Sequence, residues 1–194
     1  MHVYLIRHAQ SEGNVLDYKA RLPVDQFNTE LERSPEYALT ALGIQQAQAL
    51  ATRLAHDHIV RLYSSPFERA LTTARIYGEA VGLEPVIVPE LREVVPHSVN
   101  KSRPSVSLRQ HYLRSFAGMA WASKGPSWAS ERARARRAWQ IITAEPVAQD
   151  QAIAAVSHGW LITLLLFGLR SDPQWRVVRR DVQNAGISVI VRGQ

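Results

Sequence analysis

A short apolar run, Val3, Tyr4, Leu5 and Ile6, ends in a crowded polar cluster of Arg7, His8, Gln10, Ser11, Glu12 and Asn14. Unpaired polar groups beside a core are costly, so a buried strand that stops at such a cluster points to a charged ligand. The design recurs downstream, where the small apolar run of residues 152–157 delivers His158 and Gly159 just before another apolar stretch. In open parallel sheets ligands bind beyond the carboxyl ends of the strands, which makes His8 and His158 candidate neighbours. A neutral imidazole is a competent nucleophile toward phosphorus, and an ordinary pKa of about 6.5 leaves it largely unprotonated at neutral pH. The reaction needs charge neutralisation around the phosphoryl group. Arg7 and Arg69 offer planar, bidentate donors to phosphate oxygens, His158 another donor, and Ser11 and Asn14 further hydrogen bonds.

Alternating strands and helices, the pattern of a parallel α/β sheet, must position these groups. Residues 3–7 read as the first strand and the polar segment 17–39 as surface loop. Thr40 caps a helix to about residue 56, with Leu42, Ala47, Leu50, Ala51 and Leu54 on its apolar face. A second strand covers 59–63. Ser65 as N-cap, Pro66 at the first helical position and Glu68 three residues after the cap fit a capping box. That places Arg69 near a helix N-terminus, where backbone N–H groups favour an anion. Residues 86–88 read as a third strand, followed by two acids, Glu90 and Glu93. Then come a loop, a helix of about 105–122, a break at Gly125 and Pro126, and a helix from Ser127 or Ser130 to about Ala144. A strand at 152–156, a helix after Gly159 and a last strand at 187–191 complete the sheet. The expectation is a single α/β domain over residues 1–194, with a mostly parallel central sheet flanked by helices and residues 96–130 as a helical cap.

The 194 residues, 46% hydrophobic and 21% charged, suit one ordinary globular domain. The absence of cysteine excludes disulfides, thiolate metal sites and thiol catalysis. The longest apolar stretch is about half the roughly 20 residues of a membrane span and nothing reads as a signal leader, so a cytoplasmic location is expected. The net charge of +6 fits a solvated basic surface and equally the attraction of an anion. The densest basic run, Arg132, Arg134, Arg136 and Arg137, points in several directions around a helix without any nucleic-acid-binding pattern, which argues against nucleic acid as a partner. His56 and His58 do not share a helix face, so no metal site is expected there. His97, Lys101, Arg103, Arg109, His111 and Arg114 in the cap are either a basic surface or a site for a second anionic group. Trp121 and Trp128 read as packing residues.

At the chemistry-bearing residues the chain resembles the histidine phosphatase superfamily, the phosphoglycerate mutase-like proteins. The opening Leu5-Ile6-Arg7-His8-Ala9-Gln10-Ser11-Glu12-Gly13-Asn14 is similar to that family's Arg-His-Gly motif, with Ala9 in place of the usual glycine. Leu39-Thr40-Ala41-Leu42-Gly43 with Gln46-Ala47, Ser64-Ser65-Pro66 with Arg69-Ala70 and Thr73-Ala74, and Val156-Ser157-His158-Gly159 resemble three further blocks in the expected order. The resemblance implies a phosphoglycerate mutase-like fold and a phosphohistidine on His8. It implies that Arg7, Arg69 and His158 bind the phosphoryl group, and that an acid protonates the leaving oxygen. Glu93 matches that acid by position, with Glu90 as its competitor. The following Val94-Val95-Pro96-His97-Ser98-Val99 lacks the family's common Gly and Trp-Glu-Gly continuation. The expected function is phosphomonoester hydrolysis on a small phosphorylated substrate, without metal or other cofactor. A phosphoglycerate mutase-type phosphotransferase and a non-catalytic phospholigand-binding domain are the alternatives, and a homo-oligomer is left open.

Overall fold

The computed structural model of the chain describes residues 1–17, 19–95, 105–120 and 127–193, apart from the side chain of Ser115. The first half contains β1 (His2–Arg7), β2 (Arg21–Pro23), α1 (Val24–Arg33), α2 (Ala41–Arg53), β3 (Ile59–Ser64), α3 (Glu68–Val81) and β4 (Val86–Ile87). The second contains β5 (Ser105–Ser107), α4 (Leu108–Gly118), α5 (Trp128–Thr143), β6 (Ala152–Ser157), α6 (Gly159–Gly168), β7 (Trp175–Arg179) and β8 (Ile187–Arg192). Six strands form one sheet in the order β4-β3-β6-β1-β8-β7, with β4, β3, β6 and β1 mutually parallel and β8 antiparallel to both its neighbours. This is the mostly parallel α/β sheet expected from the sequence.

The pleat of β1 explains the layering. Val3 and Leu5 face a core with Ala138 and Ile142 of α5 and Leu161, Ile162 and Leu165 of α6. Tyr4 and Ile6 face the opposite core with Ala47 and Leu50 of α2 and Ala70, Ala74 and Tyr77 of α3. A strand covered on both faces needs a continuous apolar run, and β6 is buried at every residue. The β1–β6 register pairs Arg7 with Ser157, so the next residues on the two strands are His8 and His158. The N–H of His8 continues the ladder by donating to the Ser157 carbonyl at 2.8 Å.

Several boundaries differ from the sequence expectation. The segment 17–39 is not all loop: it holds β2 and α1, with Val24 and Phe27 buried and Leu31 packed beside them at helical spacing. The start of α3 moves to Glu68, because the Ser65 hydroxyl accepts from the Phe67 N–H at 3.2 Å and pairs with His158 instead of closing a capping box. Helix α2 stops at Arg53, and the expected third strand shortens to Val86–Ile87. The expected helix of 105–122 opens with β5, which pairs with β2 through Leu22 and Val106. β7 was not foreseen.

The described part of the segment expected as a cap therefore packs on a distant part of the sequence. α1, β2, β5 and α4 share a small core of Val24, Phe27, Val106 and Leu108, and His111 packs edge-on against Phe27 at 4.6 Å. His97, Lys101, Arg103 and Trp121 lie outside the described residues. His56 and His58 are exposed, and among the described residues no cluster of three or more His, Asp or Glu side chains suits a metal ion. No helix among the described residues is long and apolar enough to cross a membrane.

The loop that follows β1 is braced by α2. Thr40 caps that helix by accepting from the Gly43 N–H at 3.1 Å, and its own N–H donates to the Gln10 carbonyl at 3.0 Å. A Cβ on Gly43 would stand 2.0 Å from that same carbonyl oxygen. Gly43→Ala is therefore expected to lower stability by about 1 to 3 kcal/mol in urea denaturation, and to lower turnover by displacing the backbone two residues from His8.

Candidate active site

His8 is 3% exposed and its tautomer is set by its partners. Nδ1 lies 2.7 Å from the Ala9 carbonyl, which can only accept, so Nδ1 carries the proton. Nε2 then holds the lone pair, and it accepts from Arg69 Nε at 3.2 Å. Burial, and then the charges of Arg69 and Arg7, hold the imidazole well below its ordinary pKa of 6.5, against the opposing bond to Ala9. His8 is thus neutral at physiological pH, with its lone-pair nitrogen beside a guanidinium.

Arg69, near the N-terminus of α3, is buried with its Nη1 on the Ser34 carbonyl at 2.6 Å and its guanidinium 5.1 Å above the Phe67 ring. Arg7 projects from the end of β1, with Nη1 donating to the Val182 carbonyl at 2.9 Å. The Ser11 N–H and hydroxyl both donate to Asn14 Oδ1, at 3.0 and 3.1 Å, and the Asn184 amide adds a third donor at 3.0 Å. With Oδ1 committed, the amide nitrogen of Asn14 is the group suited to donate to an anion. The Ser11 hydroxyl shapes this turn. Arg7, His8, Ser11, Asn14, Arg69 and Glu93 line one cavity of about 370 Å³.

His158 and Gly159 do not line it. His158 lies under His8, with ring centroids 5.1 Å apart, and its Nε2 is 2.7 Å from the Ser65 hydroxyl. Burial and the charges around it, Arg69 foremost, hold it neutral. Gly159 packs against Arg7, whose Nε would be 3.4 Å from a Cβ there. His158, a phosphate-binding residue on the sequence expectation, is thus wholly buried against His8, and Gly159 is half-buried beside Arg7.

Glu93 sits at the N-terminus of α6. Its carboxylate accepts from the N–H groups of Val94 at 2.8 Å, Leu161 at 3.2 Å and Trp160 at 3.4 Å. These bonds and Arg69 favour the charged form, yet burial outweighs them and raises the pKa above its ordinary 4.5. Glu90 is absent from the cavity wall. The loop between them is pinned by Arg134, which sequence reasoning had placed in a basic run of no single direction. Arg134 is 3% exposed, donates through Nη1 to the Glu90 and Arg92 carbonyls at 2.6 Å each, and pairs with buried Glu131 through Nε and Nη2. Its spacing of three from Glu131 was the available signal. Asn184, which also donates to the His8 carbonyl at 3.3 Å, was likewise missed.

Breaking a buried pair leaves an uncompensated charge. Arg134→Met is expected to cost about 3 to 5 kcal/mol in urea denaturation, and adding Glu131→Leu should recover much of that stability. Activity should stay low in the double variant, because the Glu93 loop has lost its clamp.

The family model of the histidine phosphatase superfamily, branch 1, matches residues 3–194. Probable phosphoglycerate mutase GpmB of Yersinia enterocolitica is 27% identical over 195 residues, which span 97% of this chain and 83% of that protein. The fold is shared with a mycobacterial glucosyl-3-phosphoglycerate phosphatase complexed with VO3, at a TM-score of 0.62 and 25% identity over 89% of this chain and 83% of that one. It is also shared with phosphoserine phosphatase from Entamoeba histolytica in complex with phosphoserine, at a TM-score of 0.63 and 20% identity over 97% of this chain and 89% of that one. With its four sequence blocks gathered at one sheet edge, this chain belongs to the histidine phosphatase superfamily.

Proposed function

We propose that the chain hydrolyses phosphomonoesters through a covalent phosphohistidine on His8, with Glu93 as the proton donor. The observation that carries this reading is the cavity wall shared by His8, Arg7, Arg69 and Glu93, with the His8 tautomer already set for attack by Nε2. Nε2 attacks phosphorus and the P–O ester bond breaks. Its electron pair passes to the leaving oxygen, which takes the Glu93 proton. Water then attacks the phosphohistidine and gives a proton to the Glu93 carboxylate. The N–P bond breaks with its pair returning to Nε2, and phosphate departs. Arg69, at the attacking nitrogen, and Arg7 neutralise the charge on the phosphoryl oxygens throughout.

The mycobacterial phosphatase supports hydrolysis, whereas the name of the Yersinia relative favours a mutase. Incubation with 3-phosphoglycerate separates them: a hydrolase releases inorganic phosphate, and a mutase accumulates 2-phosphoglycerate. A binding domain does neither and leaves p-nitrophenyl phosphate intact.

His8→Ala is expected to abolish turnover and the acid-labile phosphoenzyme. Glu93→Gln should slow alkyl phosphates by about 10²- to 10⁴-fold and p-nitrophenyl phosphate far less, since nitrophenolate leaves without a proton. Equal slowing of both substrates rejects the proton-donor role.

The pH dependence follows from the two shifted groups. The lowered pKa of His8 keeps the nucleophile neutral well below pH 6.5, and the raised pKa of Glu93 keeps the acid protonated above pH 4.5. Turnover of alkyl phosphates is therefore expected to hold above the ordinary carboxylate range and to fall, as pH rises, when Glu93 ionises. That alkaline limb should be absent when p-nitrophenyl phosphate is the substrate.

A further inference from the structure

The reacting groups fix the phosphoryl half of the substrate and leave the alcohol half to the rest of the cavity. A phosphoryl group fills the space of a few water molecules, at about 30 Å³ each. Most of the 370 Å³ therefore lies beyond the reacting atoms. α4 turns one face to that space, with Leu108, Tyr112 and Phe116 recurring at every fourth residue and Leu113 beside them. Phe116 meets the Trp160 ring at 4.3 Å between centroids, and the Trp160 N–H reaches Glu93. The aromatic wall thus begins at the group that serves the leaving oxygen. Leu113 is 62% and Trp160 45% exposed, so large apolar side chains stand open to water at the mouth of the site.

The charge of the wall points the same way. Beyond Arg7 and Arg69, its described residues add one cation, Arg109, and two acids, Glu30 and Glu93. Glu30 accepts the Tyr37 hydroxyl at 2.7 Å and lies 3.6 Å from Arg33. Among the described residues Arg109 is then the one further wall cation that could meet a second anionic group, whereas an apolar group removes the exposed rings and Leu113 from water.

We infer that the alcohol part of the substrate is a bulky, largely apolar group, arylalkyl or branched alkyl, seated between α4 and Trp160. This rests on the hydrolase reading. The test uses the full chain and three esters of primary alcohols, ethyl phosphate, 3-phenylpropyl phosphate and 3-phosphoglycerate, which removes the advantage of a phenolic leaving group. The value of kcat/KM for 3-phenylpropyl phosphate should exceed both others by about a hundredfold, since even one methylene in an apolar pocket is worth about tenfold or more. Leu113→Glu and Phe116→Ala should each lower the ratio of 3-phenylpropyl to ethyl phosphate about tenfold. The exposed Leu113 carries no packing whose loss would unfold the chain. Equal or better use of 3-phosphoglycerate or ethyl phosphate overturns the inference, as does a ratio unmoved in both variants. Calorimetric binding to the His8→Ala protein reads the pocket without turnover. Failure to hydrolyse even p-nitrophenyl phosphate sinks the hydrolase reading, whereas equal affinities for the ethyl and phenylpropyl esters sink this one.

Discussion

The parallel pairing of β1 with β6 is the constraint on which the site depends. Its register sets Arg7 against Ser157, and the two histidines that follow have no freedom to lie apart. A slip of one residue would turn each strand's alternate faces inside out and separate the imidazoles. The same pairing buries both rings, and burial keeps two imidazoles uncharged beside two guanidiniums. Were either ring protonated, the cluster would repel itself. The positive field is thereby left for an anion, and Nε2 of His8 keeps its lone pair.

Much of this was legible in the sequence, for reasons that differ from element to element. β1 and β6 announced themselves as apolar runs ending in polar residues, and Thr40 and Ser127 cap their helices through local bonds that sequence spacing encodes. Ser65 has the same local pattern and was misread, because His158, 93 residues away, competes for its hydroxyl. Nothing local reports such a competitor. The apolar signal of α1 is only Val24, Phe27 and Leu31 among polar neighbours, enough for a small cap core and too sparse to distinguish from a loop. β7 is an edge strand bearing Arg176 and Arg179, whose charges suit an unpaired edge and hide the strand pattern.

For the site, residue type and order singled out Arg7, His8, Ser11, Asn14, Arg69 and Glu93, which line one cavity, while the burial of His158 against His8 was not readable from them. Arg134 shows the complementary limit. Its chemistry was visible, but its two carbonyl partners belong to a loop more than 40 positions earlier. Burial and non-local backbone contacts are tertiary facts, and they separate a clamp from a solvated arginine.

The division of the hydrophobic interior into three clusters has a thermodynamic meaning. Two large ones sandwich the sheet, while the cap has its own, centred on four buried residues and two strands of three residues each. A unit with so little apolar area of its own opens at a lower free energy than the sheet and exchanges its amide hydrogens sooner. Since Phe27 and Leu108 of that small core also line the cavity, the shape of the cavity wall is thereby coupled to a local unfolding equilibrium, which loosening the Val24 and Phe27 packing would shift.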